Sequence, residues 1–333
     1  GHDDAAWWFR VTVQIPVRLI GQPIFLLVMP ADLDDVQFYP DDDQRQVSGL
    51  AWPFSARNAN TLFPVLRITP QTDKTEVFLR VQNSGPMALH LSLLSEIALR
   101  RQVQIYHFAF GFYFGALVIV LFMSTLNWGW THDALYGRYI LLALLTGITT
   151  LTTQGYTSEF ILPEHPEWVD VLDNGLTSIL VASAIFFSFP LLQIKEGYPR
   201  LALVWEIGAW VVLVSSLLSL TAYNRLGVDI ALVTFLLYGL FSTGVSLRRW
   251  HQLSTPLSLV VFVGYLFFVV LQSITALMTL GLLDASPWTM NSWLAGNLIH
   301  LIFMLVAITY RSRSLQISQW KTELALVKAN TET

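Results

Sequence analysis

From Ile105 onward the chain is dominated by seven apolar stretches, at roughly 105–127, 135–154, 170–193, 200–221, 228–247, 257–281 and 290–310. Each has about the 20 residues that cross a hydrocarbon core of ~30 Å. This restricts the fold more than any other feature. Lipid offers no partner to a backbone N–H or C=O, so a single apolar stretch crosses it only as a helix. Charged residues make up only 13% of the 333, about half the quarter usual for a soluble domain. Trp128, Trp130, Tyr136, Tyr156, Trp168, Tyr198, Tyr223, Trp250, Trp288, Trp293 and Tyr310 cluster near the ends of the stretches, as interfacial aromatic belts do.

The short loops set an orientation. With the N-terminus outside, the inner segments hold Arg138, Lys195, Arg200, Arg248, Arg249, Arg311 and Arg313, and the outer loops between spans hold Arg225. Those outer loops are acidic instead, with Glu159, Glu164, Glu167, Asp170, Asp229 and Asp284. Positive residues favour the cytoplasmic side. Arg100 and Arg101 at the outer end of the first span run against the bias, which a translocated folded domain overrides. An odd number of spans then places the C-terminus in the cytoplasm.

Residues 1–99 have a different texture. Short β-type runs, WWFRVTVQI (7–15), PIFLLVM (23–29), DVQFY (35–39), TEVFLRV (75–81) and MALHLSLL (87–94), are separated by PADLDD, YPDDDQ and QNSGP. Runs of this length at this spacing predict an all-β sandwich. The expected division is a periplasmic ligand-sensing sandwich over 1–101, a seven-helix bundle over 102–311 and the start of a signalling helix over 312–333. GHDDAAWW has neither the basic nor the apolar region of a secretory leader, and Gly1-His2 resembles a cleavage scar. A removed or replaced leader is therefore expected.

The last stretch has its own pattern. Ile317, Trp320, Leu324 and Val327 are spaced 3, 4, 3, the a/d seam of a short coiled coil. An amphipathic helix lying on the inner membrane surface fits the same stripe. No Pro or Gly follows Asn297, so one continuous helix is expected from the seventh span into the tail.

Candidate binding residues fall in two places. In the outer domain they are Trp8, Arg10, Tyr39, Trp52, Arg57, Asn58 and His90. Aromatic faces stack on the apolar C–H faces of a sugar, and Arg or Asn fixes its hydroxyls. The tryptophans serve equally as core packing, and Arg57 as an ion-pair partner. Asp41, Asp42 and Asp43 offer oxygen ligands but lack EF-hand spacing, and a solvated turn is the simpler reading. In the membrane, Glu206, Gln272, Asn297 and His300 are costly to bury and so informative. Asn297 and His300 share a face at i and i+3. Gln272, Asn297 and His300 together suit a small ligand or proton site, or polar glue between helices. Glu206 is expected near the inner interface, paired with a basic residue. Gly111 and Gly115 form a GxxxG that permits a close helix contact, within the bundle or between copies.

Several classes find no support. There is no cysteine, hence no disulfide or thiolate site. No zinc-protease, nucleophile-elbow, P-loop or Rossmann signature occurs, so neither cofactor nor catalytic residue is expected. A net charge of −4 gives no reason to expect nucleic acid.

LDDVQFYP (33–40), AWPFSARN (51–58), VFLRVQNSG (77–85), HFAFGFYFGALVIVLFMSTLNW (107–128), HDALYGRYILLALL (132–145) and TTQGY (152–156) resemble the bacterial seven-transmembrane receptors with diverse intracellular signalling modules, and so does the order of parts. The resemblance implies a carbohydrate-binding-like jelly roll outside and a histidine kinase or diguanylate cyclase after the seventh span. No GGDEF-like motif or kinase nucleotide block is in the sequence, so a following module or a separate partner is expected. The partners implied are a small-molecule, carbohydrate or protein ligand, membrane lipids, a second copy and a cytoplasmic kinase or cyclase. The alternatives are a transporter or channel with an outer accessory domain, and an envelope assembly protein.

Overall fold

The computed structural model describes residues 6–39, 45–59, 61–83, 88–221 and 223–331. Asp41, Asp42 and Asp43 lie outside the described residues.

Among the described residues the outer domain shows seven strands: β1 Trp7–Gln14, β2 Ile24–Met29, β3 Asp35–Tyr39, β4 Gln46–Ser48, β5 Val65–Ile68, β6 Lys74–Gln82 and β7 His90–Ser95. They form a four-stranded sheet in the order β1-β6-β3-β4 and a three-stranded sheet in the order β5-β2-β7. All pairings are antiparallel. β4 and β5 were not among the runs read from the sequence. At three and four residues they are too short to show an alternation. Side chains alternate across a strand, so Val77, Leu79 and Val81 of β6 and Val36 and Phe38 of β3 face inward against Leu26 and Val28 of β2 and Leu66 of β5. Each such fully buried aliphatic or aromatic side chain contributes roughly 1.5–3 kcal/mol. The expected sandwich is therefore present.

Strand β2 reads IFLLVM, without alternation, and both its faces are buried. Leu26 and Val28 face the sandwich core. Leu27 and Met29 face a second apolar core, shared with Leu99, Tyr106, Phe110 and Tyr113 of the first helix and Met290 and Leu294 of the last.

Among the described residues, seven helices long and apolar enough to cross a membrane follow. They are α1 Glu96–Thr131, α2 Ala134–Thr153, α3 Pro166–Leu191, α4 Pro199–Ser215, α5 Asn224–Leu253, α6 Pro256–Thr279 and α7 Pro287–Thr331. Helices α3, α4, α6 and α7 each open on a proline. Proline suits a first helical position because its fixed φ is already helical and its missing N–H would have no partner there. Strand β7 enters α1 without a linker: Ser95 ends the strand and caps the helix, accepting from the Ala98 N–H at 3.3 Å. Glu96 and Arg100, one helical turn apart, pair at 2.6 Å.

Helices α6 and α7 pack closely against each other. A Cβ added at Gly264 would sit 2.6 Å from Met304 Cε and 2.8 Å from Phe303 Cβ, and one at Gly296 3.0 Å from Leu271 Cβ. Close approach at these two glycines holds the hairpin together. Gly111 and Gly115 differ, having no protein atom within 4 Å of an added Cβ. They make no close contact within the bundle. The outward faces of α1 and α4 carry exposed apolar residues such as Phe108, Phe112, Ile207 and Val211, suited to lipid. Helix α7 is unbroken through the tail, where Ile317, Trp320, Leu324 and Val327 are all exposed.

Candidate functional site: a bundle cavity beneath the sandwich

The sandwich sits on the outer end of the bundle through four contacts. The first is the apolar core that β2 shares with α1 and α7. The second is the 51–58 segment, which docks on the α2–α3 loop: Phe54 N–H donates to the Pro163 carbonyl at 2.7 Å and Ser55 Oγ to Glu164 Oε2 at 3.0 Å. Arg57 is buried here. It donates through Nε and Nη2 to the Trp52 carbonyl at 3.3 Å and lies 5.0 Å from the Phe54 ring centre. Burial lowers its guanidinium to about 10, against the nearby Glu159 carboxylate, which favours the charge. Glu159 is in turn pushed up by burial, with His107 and Arg57 opposing.

The third contact is His90. Its Nδ1 donates to the Ala285 carbonyl at 3.0 Å, which leaves Nε2 to accept from Ser92 Oγ at 3.0 Å. Strand β7 is thereby tied to the α6–α7 loop. Arg57 and His90, read from the sequence as candidate ligand residues, thus face the bundle. Asn58 lies beside Arg57, its N–H donating to the Val47 carbonyl at 3.3 Å.

The fourth contact is the β2–β3 loop, which carries Asp32 into the mouth of the bundle. Below it is a cavity of about 330 Å³ walled by α2, α3, α5, α6 and α7. A smaller one of about 150 Å³ lies at the seam between sandwich and bundle. Asp32, Thr153, Thr275 and Trp293 line both, forming a common neck. Burial, then the neighbouring Asp34 carboxylate, pushes Asp32 up to about 6. Thr153 Oγ1 donates to Asp173 at 2.9 Å, and Asp170 accepts from Asn174 and Asn224, each at 2.8 Å.

The expected intramembrane polar group is brought together on the wall of this cavity. Gln272 Nε2 donates to Asn297 Oδ1 at 2.9 Å, and His300 Nδ1 donates to the Gly264 carbonyl at 3.4 Å. The His300 ring packs between Tyr265 and Phe268, with ring centres 4.8 and 4.9 Å away. Glu206 is elsewhere, pairing with Lys195 at 2.9 Å.

The remaining outer-domain candidates gather on the solvent face of the four-stranded sheet. Trp8 is exposed and stacks on Tyr39 with ring centres 5.2 Å apart. Trp52 Nε1 donates to Asp35 Oδ1 at 2.7 Å, and Gln37 Nε2 donates to Asp35 Oδ2 at 2.7 Å. Asp35 also pairs with Arg80. Arg10 is exposed on the same face, opposite Phe78.

The sequence reading missed Asp32, Asp173 and the neck. PADLDD reads as a turn, and so it is. That the turn enters a cavity depends on packing with a bundle more than a hundred residues away. Among the described residues no group of His, Asp or Glu is arranged to hold a metal.

Two family models account for this arrangement. One, described as 7TM diverse intracellular signalling, matches residues 106–311, and the other, 7TMR-DISM extracellular 2, matches residues 1–95. The chain belongs to the 7TMR-DISM family. Comparison with curated proteins and with solved structures gives no match. As a 7TMR-DISM protein the chain is a transmembrane receptor, with an N-terminal extracellular domain on a multi-pass bundle. Both matched domains are receptor-type rather than catalytic.

Proposed function

We propose that the chain is the sensing and relay part of a bacterial inner-membrane receptor. A carbohydrate or another extracytoplasmic ligand meets the outer sandwich, and the response passes through α7 to a histidine kinase or diguanylate cyclase module. One observation carries this reading. Helix α7 begins in the apolar core it shares with β2, through Met290 and Leu294 against Leu27 and Met29, and runs without a break to Thr331. A shift of the sandwich therefore acts on the helix that leaves the bundle at the other end. The loop charges support a cytoplasmic C-terminus. The aromatic and hydrogen-bonding face around Trp8, Tyr39 and Trp52 suits a sugar. The exposed seam of α7 and the uncovered Gly111 and Gly115 suit a homodimer.

The test is to place a charge on the seam. Trp320→Glu or Leu324→Glu is expected to abolish cellular output while binding at the outer domain survives. Normal signalling from both variants would refute the relay. Trp8→Ala is expected to do the reverse, weakening oligosaccharide binding measured by calorimetry and leaving the helix intact.

A further inference from the structure

The bundle cavity is separate from the aromatic face of the sandwich, and its chemistry is different. We propose that it is a binding site for a small amphipathic organic amine, with the ammonium at the neck beside Asp32 and Trp293 and the apolar body in the bundle between Leu142, Val181, Phe235 and Phe268.

The neck supplies the cation side. Asp32, Asp34, Asp170 and Asp173 are close enough for their charges to oppose one another. Among the described residues neither Asp32 nor Asp173 has an ion-pair partner. Trp293 adds an aromatic ring to the carboxylate, and a cation is drawn to both. Thr153 and Thr275 place hydroxyls at the same neck. Burial, with Asp34 beside it, raises the pKa of Asp32, as fits a carboxyl that lacks an opposing charge.

The chamber supplies the apolar side. Two of its polar wall contacts are already made within the protein, Gln272 to Asn297 and His300 to the Gly264 carbonyl, while the buried Thr149 Oγ1 on the same wall has no partner. A ligand body there is largely apolar, with one hydroxyl at Thr149 open to it. At about 330 Å³ the chamber is in the size range of small-molecule pockets. The seam cavity adjoins the same neck on the side of the sandwich. Asp32 is the sandwich's residue on the larger cavity and all the other lining residues belong to the bundle. An occupant therefore bonds the two domains together.

The experiment uses the full chain in lipid nanodiscs, titrated with 2-phenylethylamine and, separately, with its uncharged analogue 2-phenylethanol. Calorimetry and thermal stability are the readouts. The amine is expected to bind about tenfold or more tightly than the alcohol, the size of one carboxylate–cation contact in a dry site. Asp32→Asn, which keeps the shape of the side chain, should erase the preference and spare alcohol binding. Val181→Trp, and independently Ala184→Phe, should fill the chamber and abolish binding of both compounds, while Trp8→Ala changes neither. Thermal melts show that each variant is folded. Equal binding of amine and alcohol by the wild type, no binding of either, or full binding by the filled variants would overturn the assignment. So would native mass spectrometry that finds a lipid retained by the wild type and lost from both filled variants. None of these readouts depends on an output module, so the relay through α7 stands or falls separately.

Discussion

Asp32 shows how one side chain is placed against its own preference. An unfolded aspartate ionises near 3.8 and the folded Asp32 near 6. Between these values the folded chain keeps a proton that the unfolded chain has lost. Stability therefore falls as pH rises through this window, and the full cost stands above it. Asp34, Asp170 and Asp173 face the same region and add to that cost, and among the described residues Asp32 has no ion-pair partner to offset it. Asp32→Asn should stabilise the protein by roughly 1–3 kcal/mol at about pH 7.5, and the gain should vanish near pH 4. Thermal melts of the purified chain across that range check it; an unchanged midpoint at the higher pH would refute it. The sequence shows that acidic residues crowd 32–35 but not that one of them is enclosed. The same holds for Arg57. It was legible as a candidate ligand residue or ion-pair partner, while its burial follows from the docking of its segment at Pro163 and Glu164.

At the level of elements, the legible parts were those whose physics is local. Each span announced itself by length, because a helix in lipid needs nothing from its neighbours to satisfy its backbone. The continuity of α7 was likewise readable from the absence of Pro and Gly. Helix contacts were less so. The GxxxG of α1 drew attention, yet the tight packing is at other glycines, among them Gly147, Gly227, Gly264 and Gly296, where no such motif stands. Gly264→Val should therefore disrupt the α6–α7 hairpin, because its first added carbon already meets Met304 and Phe303. A loss of about 1–3 kcal/mol is expected. Gly111→Val, with open space around it, should leave the melting temperature of the monomer unchanged. Strand β2 carried a signal of its own. An antiparallel strand with one wet face alternates, and IFLLVM does not. The absent alternation is the mark of a strand covered on both sides, a signal left unread until the second cover was seen. Met29→Ala should cost roughly 2–4 kcal/mol, as for a buried large residue, and should loosen the sandwich from the bundle as well as lower stability.

For the molecule as a whole, sandwich and bundle are joined by a shared apolar core and by hydrogen bonds across the seam. The chain has no cysteine, so introduced pairs report without background. Ser55→Cys with Glu164→Cys should cross-link readily in membranes through a short bismaleimide, while Trp8→Cys with Glu164→Cys should not; the reverse pattern would contradict the docked arrangement. Single cysteines test the sidedness. Trp8→Cys should react with an impermeant maleimide added outside intact cells, and Leu324→Cys only after the membrane is opened.

The two-sided burial of β2 has a consequence for anyone who treats the outer domain as a detachable module. Cut free at Ser95, it would present Leu27, Met29, Leu62, Phe63 and Val65 to water, all of them buried in the intact protein. Such a fragment should clump or seek another greasy surface, and what it captures would say little about its natural ligand. A foreign sandwich grafted onto this bundle would need to bring its own counterpart of Leu27 and Met29, or take the outer turns of α1 and the first turns of α7 with it. The unit that can be exchanged among such receptors is then larger than the sandwich, and its edge runs through the membrane helices.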